Sequence, residues 1–263
     1  MTSLNASAAV IESYAARARF ARAETAAVAR PRMLRGLLRA RPHVAEIPCG
    51  AGHFLTDYAR AGAAVTLVDA SPQMLAAAVD HAAAVGIPAE QTFPTAAYLQ
   101  DLALLDEVDL VVAPNAAMNQ LACQSSLPEM LAALRQALRP GVKVLAQLAC
   151  THPGGGVDSA SFYDAGRQHG VWFPDRWFDP DAAAGAVLRR RRQQRTSDLL
   201  SIEFGYISPA GHTLHTTSVE LSLFSAPQIR GAFTAAGFLA IRYLPGNGGL
   251  SEVLATVGPG SES

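Results

Sequence analysis

The sequence predicts an α/β fold: a doubly wound, mostly parallel sheet that ends in an antiparallel hairpin and is overlaid by an antiparallel β insertion. Three observations predict it. Short apolar runs alternate with helical stretches from Val44 to Leu148. A glycine-bearing loop, Pro48-Cys49-Gly50-Ala51-Gly52, follows the first run, and the second run ends on a carboxylate, Asp69. After Thr151 the rhythm gives way to Gly, Pro, Asp and aromatics, and then to three β-patterned runs.

Apolar and small residues at helical spacing predict two N-terminal helices, Ser7 to about Ala29 and Arg32 to Ala40, interrupted by Pro31. Eight arginines between Arg17 and Arg41 face one acid there, Glu24, and read as a solvated basic face. Val44 to Ile47 is the first strand, His53 to Ala61 a helix stopped by Gly62, and Ala64 to Val68 the second strand. Ser71 as N-cap with Pro72 behind it starts a helix to Val85. A short strand near Gln91 to Pro94 and a buried one, Val108 to Ala113, follow. Ser126-Leu127-Pro128-Glu129 fits a capping box for a helix to Leu138, and Lys143 to Leu148 is the fifth strand. Val187 to Arg195, Leu199 to Ser208 and His212 to Phe224 form an antiparallel meander, in which Arg189 to Arg192 and Arg195 read as a solvated edge. A helix capped at Ser225 and a hairpin, Phe238 to Tyr243 with Ser251 to Val257, complete one domain. Its parts are an N-terminal helical lid (1–42), a core (43–150), an insertion (151–224) and a final helix with hairpin (225–258), with a frayed tail from Pro259.

Lys plus Arg (21) nearly balances Asp plus Glu (22), which argues against nucleic acid or an anionic membrane and for a small ligand. Three cysteines without C-x-x-C spacing suggest neither a disulfide framework nor a metal site, and point to a cytoplasmic protein. No uncharged apolar run is long enough for a bilayer span, and the first residues lack the order of a secretory signal. A monomer or homodimer is expected.

A strand, tight loop, helix and strand ending in an acid is how α/β proteins hold an adenosine. A nicotinamide loop needs a third glycine, and Leu55 stands there instead. Glu46 ahead of the loop would repel phosphates but suits the ammonium of an amino-acid tail, and Asp69 can accept both ribose hydroxyls. The segments EIPCGAGHF (Glu46 to Phe54), TLVDASPQML (Thr66 to Leu75), DLVVAPNAAMNQL (Asp109 to Leu121) and ALRPGVKVLAQ (Ala137 to Gln147), with a final AAGF (Ala235 to Phe238), resemble class I S-adenosylmethionine-dependent methyltransferases of bacterial secondary metabolism.

The resemblance implies a Rossmann-like, seven-stranded sheet and S-adenosyl-L-methionine as cofactor. It implies that Gly50, Ala51 and Gly52 run beneath the methionine part, that Asp69 holds the ribose, and that Ala70 and Met74 flank the adenine. Tyr98 and Leu99 would border its other side, with Asn115 and Met118 near the sulfonium. Pro48 and Tyr98 depart from the family pattern, the one at a glycine or acid position, the other where an acid commonly contacts adenine.

Methyl transfer is an in-line displacement, so positioning supplies much of the rate, and a base matters only for acceptors that must lose a proton. His152 is the best-placed base, ahead of His169, His212 and His215, while His53 is expected to cap or pack near the cofactor. Tyr14 is a lid residue, and Asn119, Tyr163, Trp172 and His169 are candidate acceptor contacts, with Phe162 and Trp177 as further aromatics. The expected function is methyl transfer to O, N or C of a small natural-product acceptor. Cyclisation on the same cofactor, or non-catalytic cofactor or nucleotide binding, are the alternatives.

Overall fold

The computed structural model describes residues 17–25, 28–151, 162–179, 185–246 and 250–259. The first half comprises α1 (17–25), α2 (Leu34–Leu37), β1 (Val44–Glu46), α3 (Leu55–Ala61), β2 (Val65–Asp69), α4 (Pro72–Ala84), β3 (Thr92–Ala96), β4 (Leu110–Ala113), α5 (Ala117–Leu121), α6 (Leu127–Gln136) and β5 (Lys143–Leu148). The second comprises β6 (Cys150–Thr151), β7 (Phe173–Phe178), β8 (Val187–Arg195), β9 (Leu199–Ile207), β10 (Thr213–Ser222), β11 (Phe224–Ser225), α7 (Ala226–Ala235), β12 (Phe238–Leu244) and β13 (Ser251–Val257).

Seven strands make the main sheet in the order β12-β13-β5-β4-β1-β2-β3. β1 pairs in parallel with β2 and β4, β4 with β5, and β2 with β3, whereas β13 runs antiparallel to both β5 and β12. β1 and β4 are buried along their whole length, as parallel strands covered on both faces must be, which explains their uninterrupted apolar sequence. Leu131, Leu134, Ile229 and Phe233 of α6 and α7 fill one face, and Leu55, Tyr58, Leu75 and Ala78 of α3 and α4 fill the other. The helix starts follow from their caps. Ser71 Oγ accepts the Met74 N–H at 3.3 Å, and Ser126 and Glu129 close a reciprocal box that satisfies two otherwise orphaned donors.

The insertion is a second sheet, in the order β10-β9-β8-β7. Its inner face carries Leu200, Ile202, Phe204 and Tyr206 of β9 with Val219 and Leu221 of β10, and α1 packs there through Phe20, whose ring stacks on Tyr206 at 4.4 Å. β8 lies inside this sheet, which corrects the expectation of a solvated edge. The period of two turns Val187, Arg189, Arg191 and Gln193 inward, and all four are buried.

Some elements differ from the sequence reading. The helix expected over Arg32 to Ala40 is one α turn followed by a 3₁₀ turn, Leu38–Ala40. β7 falls in the stretch after Thr151 read as rich in Gly, Pro, Asp and aromatics; it is an edge strand, where the missing N–H of Pro174 costs little, and its register with β8 shifts between Pro174 and Arg176. α5 and the two-residue pair β6 and β11 were too short to carry a period.

Candidate functional site

In a doubly wound sheet, ligands bind beyond the carboxyl ends of the strands where the strand order reverses. Here that point lies between β1 and β4, and a cavity of about 230 Å³ is lined there by Pro48, Gly50 and Ala51 after β1, Asp69, Ala70 and Ser71 after β2, and Pro114 and Asn115 after β4. Met74 of α4 and Tyr98 also line it, and α1 and the insertion sheet supply the opposite wall.

The loop after β1 is held from several sides. The Cys49 N–H donates to Val68 O at 2.7 Å, His81 Nδ1 of α4 lies 2.9 Å from Ala51 O, and the Gly50 N–H donates to Asp69 Oδ2 at 2.8 Å. Asp69 Oδ1 accepts the Ser71 N–H at 2.8 Å. Burial pushes the Asp69 carboxyl above the usual range, although both N–H bonds and nearby His53 pull it down. Gly50 and Gly52 have φ of +52° and +81°, which favours residues without a Cβ.

Glu46, expected beside the cofactor ammonium, is bonded to the loop after β1 and to α3. It is fully buried, its Oε1 accepts the His53 N–H, and its Oε2 accepts the Phe54 N–H at 3.3 Å and the Tyr58 hydroxyl at 2.8 Å. A buried carboxylate must be paired or hydrogen-bonded, and this one is satisfied without a ligand. His53 lines the cavity, its Nδ1 directed at Glu46 Oε1 (3.2 Å) and Cys49 O (3.1 Å).

At the insertion end, Glu24 of α1 is the centre of a buried charge network. Its carboxylate takes the Arg17 Nε–H at 2.8 Å, the Arg189 guanidinium of β8, and the Tyr206 hydroxyl of β9 at 2.8 Å. Burial alone would raise its pKa, but the two arginines outweigh that and hold it at about 2. Arg189 also donates from Nε to Asp175 Oδ2 at 2.7 Å, and both Arg17 and Arg189 lie over the Phe204 ring. This network went unread in the sequence, where the signal was the lone acid among the N-terminal arginines.

Of the residues singled out from sequence, Gly50, Ala51, Asp69, Ala70, Met74, Tyr98 and Asn115 line the cavity, as does Phe162. Gly52 stands behind the loop against Leu55. Leu99 and Met118 pack in the core beneath. Asn119, expected at the acceptor, is fully buried and bridges backbones: Nδ2 donates to Ala149 O (2.8 Å) and Ser222 O (2.7 Å), and Oδ1 accepts the Ala149 N–H (2.9 Å). Tyr163 and His169 bond each other at 3.1 Å on an exposed part of the insertion. Trp172 lies against Gly205 and under Arg190 and Arg192, away from the cavity lining, and Trp177 is exposed. His215 stacks beside Tyr206 and Phe20, with its pKa lowered by burial and by Arg19 and Arg17. Tyr14 and His152 lie outside the described residues. A residue missed in the sequence is Gln147, buried at the end of β5, which accepts the Asn115 N–H at 3.1 Å and donates to Ala29 O at 2.8 Å, tying the N-terminal segment to the cavity floor.

Residues 44–141, from β1 to the approach of β5, match the family model described as a methyltransferase domain. Comparison with curated proteins gives no match. Among solved structures, the chain is similar to a sugar N-methyltransferase from Streptoalloteichus, with 20% identity over 93% of this chain and 88% of that one and a TM-score of 0.64. It is also similar to an S-adenosylmethionine-bound amino pentose methyltransferase from Micromonospora echinaspora, with 21% identity, coverage of 85% and 88%, and a TM-score of 0.61. A third is 1,6-didemethyltoxoflavin-N1-methyltransferase from Burkholderia thailandensis, with bound S-adenosylhomocysteine, at 16% identity, 97% and 89% coverage and a TM-score of 0.55. At these identities the likeness is one of fold. Among the described residues, no helix is long and apolar enough to cross a membrane.

Proposed function

We propose that this chain is a class I S-adenosylmethionine-dependent methyltransferase and that it methylates an amine nitrogen of a small natural-product acceptor. The observation that carries the reading is the single cavity that runs from the Asp69 loop at the strand ends to the wall formed by α1 and the insertion. It offers one end to a cofactor and the other to an acceptor.

The lining suits S-adenosylmethionine. Each Asp69 oxygen uses one lone pair on the loop and keeps capacity for a ribose hydroxyl. Ala70 and Met74 give an apolar wall for adenine, and the backbone of Gly50 and Ala51 allows close approach of the methionine part. The cofactor supplies an electrophilic methyl group; the protein aligns the acceptor's lone pair with it and keeps water out. The choice of nitrogen follows from the acids and bases at hand. Among the described lining residues Glu24 is held ionised by its arginines, Asp69 is shared between the loop and the ribose, and His53 is turned onto Glu46. A neutral amine reacts through its own lone pair and can lose its proton to water after the transfer, so the displacement itself needs no base on the enzyme. The N-methylating neighbours, of the same fold, point the same way.

The test is a titration of wild type and Asp69→Ala with S-adenosylmethionine, S-adenosylhomocysteine and NAD, followed by product masses from paired amine and alcohol acceptors. Binding of the first two, weakened by the substitution, with a methyl gained only by amines, is expected. Binding of NAD alone would sink the assignment, and methylation of the alcohols alone would move the acceptor atom to oxygen.

A further inference from the structure

Among the described residues at the insertion end of the cavity, one guanidinium has no carboxylate within hydrogen-bond length. Arg17, Arg176 and Arg189 line it, against the carboxylates of Glu24 and Asp175. Glu24 is shared between Arg17 and Arg189, and Asp175 binds Arg189 through two nitrogens. Arg176 is left over. Its Nε lies 3.9 Å from Asp175 Oδ2, beyond hydrogen-bond length, and among the described residues that is its one ion pair.

The placement of Arg176 has a cause in the backbone. Successive residues of a regular strand point to opposite faces, yet Asp175 meets the inward-facing Arg189 and its neighbour Arg176 lines the cavity. The register shift between Pro174 and Arg176 is where the pairing of β7 with β8 breaks, and such irregularities re-aim side chains beside binding sites. Phe204, Val219 and Leu221 form the apolar wall alongside. A half-buried guanidinium with spare donors beside an apolar wall suits an organic anion, because its planar fork matches the two oxygens of a carboxylate or phosphate.

Building on the methyl-transfer reading, we propose that the acceptor carries an anionic group, a carboxylate or a phosphate ester, and that Arg176 binds it at the insertion end of the cavity. The anion then fixes which end of the acceptor faces the methyl donor, and Arg176 is a specificity-determining residue.

The experiment titrates the full-length protein, ¹⁵N-labelled at arginine, with phenyl phosphate, benzoate and neutral benzamide, with and without saturating S-adenosylhomocysteine. The Arg176 Nε–H resonance is assigned from its loss in Arg176→Gln. A saturable shift with the anions and none with benzamide is expected, with affinity, read in the variant from the Arg17 and Arg189 Nε–H resonances at the same end of the cavity, reduced on the order of tenfold in Arg176→Gln, the loss of one charge-assisted pair. The tighter of the two anions identifies the group. S-adenosylhomocysteine affinity unchanged in Arg176→Gln shows that the variant is folded; should it not fold, Arg176→Lys, which keeps the charge but loses the fork, is expected to bind the anions severalfold more weakly than wild type. Equal binding of benzamide, or anion affinity unchanged by the substitution, overturns the proposal. So does displacement of the anion by S-adenosylhomocysteine, which would assign the arginine to the cofactor's own carboxylate. Anion binding in a protein that does not bind S-adenosylhomocysteine would keep this subsite and reject the methyltransferase reading.

Discussion

Asp69 Oδ2 accepts the Gly50 N–H at 2.8 Å while Oδ1 accepts that of Ser71, so one carboxylate ties the loop after β1 to the turn after β2. Asp69→Asn replaces one of these acceptors with a donor and removes the charge that ribose hydroxyls would meet. S-adenosylhomocysteine affinity is expected to fall on the order of 100-fold, the scale of two charged hydrogen bonds lost. Burial raises the Asp69 pKa, so the carboxyl takes up a proton at a higher pH than an exposed aspartate. Affinity in wild type should therefore decline on acidification earlier than exposed aspartate titration predicts. Calorimetric titrations across pH check both points.

Gly52 and Leu55 are mutually dependent. A Cβ built on Gly52 would lie 2.2 Å from Leu55 Cδ1, and the Gly52 φ of +81° disfavours side chains in any case. Gly52→Ala is expected to destabilise by about 2 to 4 kcal/mol, the sum of left-handed backbone strain and overpacking. Trimming the clash with Leu55→Ala in the same chain should recover part of that loss and leave the strain. The coupling is measured by a double-mutant cycle in urea.

This pair shows what the sequence could and could not reveal. The absent third glycine at Leu55 was legible, but the packing of that leucine against Gly52 was not. The alternation of strands and helices, the helix caps and the Asp69 loop were readable because each has a local signature in spacing or residue type. The partners of Glu46 were not legible because a carboxylate's position in sequence says nothing of them, and Tyr58, which takes up one oxygen, lies twelve residues on. The Glu24 network joins residues up to 182 positions apart, so only the folded chain brings it together.

Asn119 links α5, the chain after β5 and the end of β10 through three hydrogen bonds, all to backbone. Asn119→Ala leaves those buried groups without partners, and a loss of about 3 kcal/mol is expected, at roughly 1 kcal/mol per bond. Asn119→Asp keeps the Oδ1 acceptor but sets a second oxygen against the Ala149 and Ser222 carbonyls, and should be no better tolerated. Because the side chain is outside the cavity lining, the cofactor affinity of whatever folds should change little. Urea unfolding paired with calorimetry separates the two effects.

Glu24 gives the fold a pH dependence of defined sign. Its folded pKa is about 2, below the ordinary 4.5, because Arg17 and Arg189 outweigh the effect of burial. A depressed carboxyl contributes stability that is fully present above its unfolded pKa and lost as pH falls through the folded value, so the window runs from pH 4.5 down to about 2. The shift corresponds to about 3 kcal/mol at neutral pH. Glu24→Gln removes this contribution and leaves Arg17 and Arg189 facing an uncharged acceptor, so the variant should be less stable than wild type by about that amount at pH 7. The gap should narrow steadily below pH 4.5, as wild type loses what the variant never had. Urea unfolding of both proteins from pH 7 to pH 3 checks it, and a gap that stays constant over that range would show that the arginines do not hold Glu24 ionised. Because Glu24 and Arg189 join α1 to the insertion sheet across the cavity, the same substitution should also weaken acceptor affinity more than cofactor affinity.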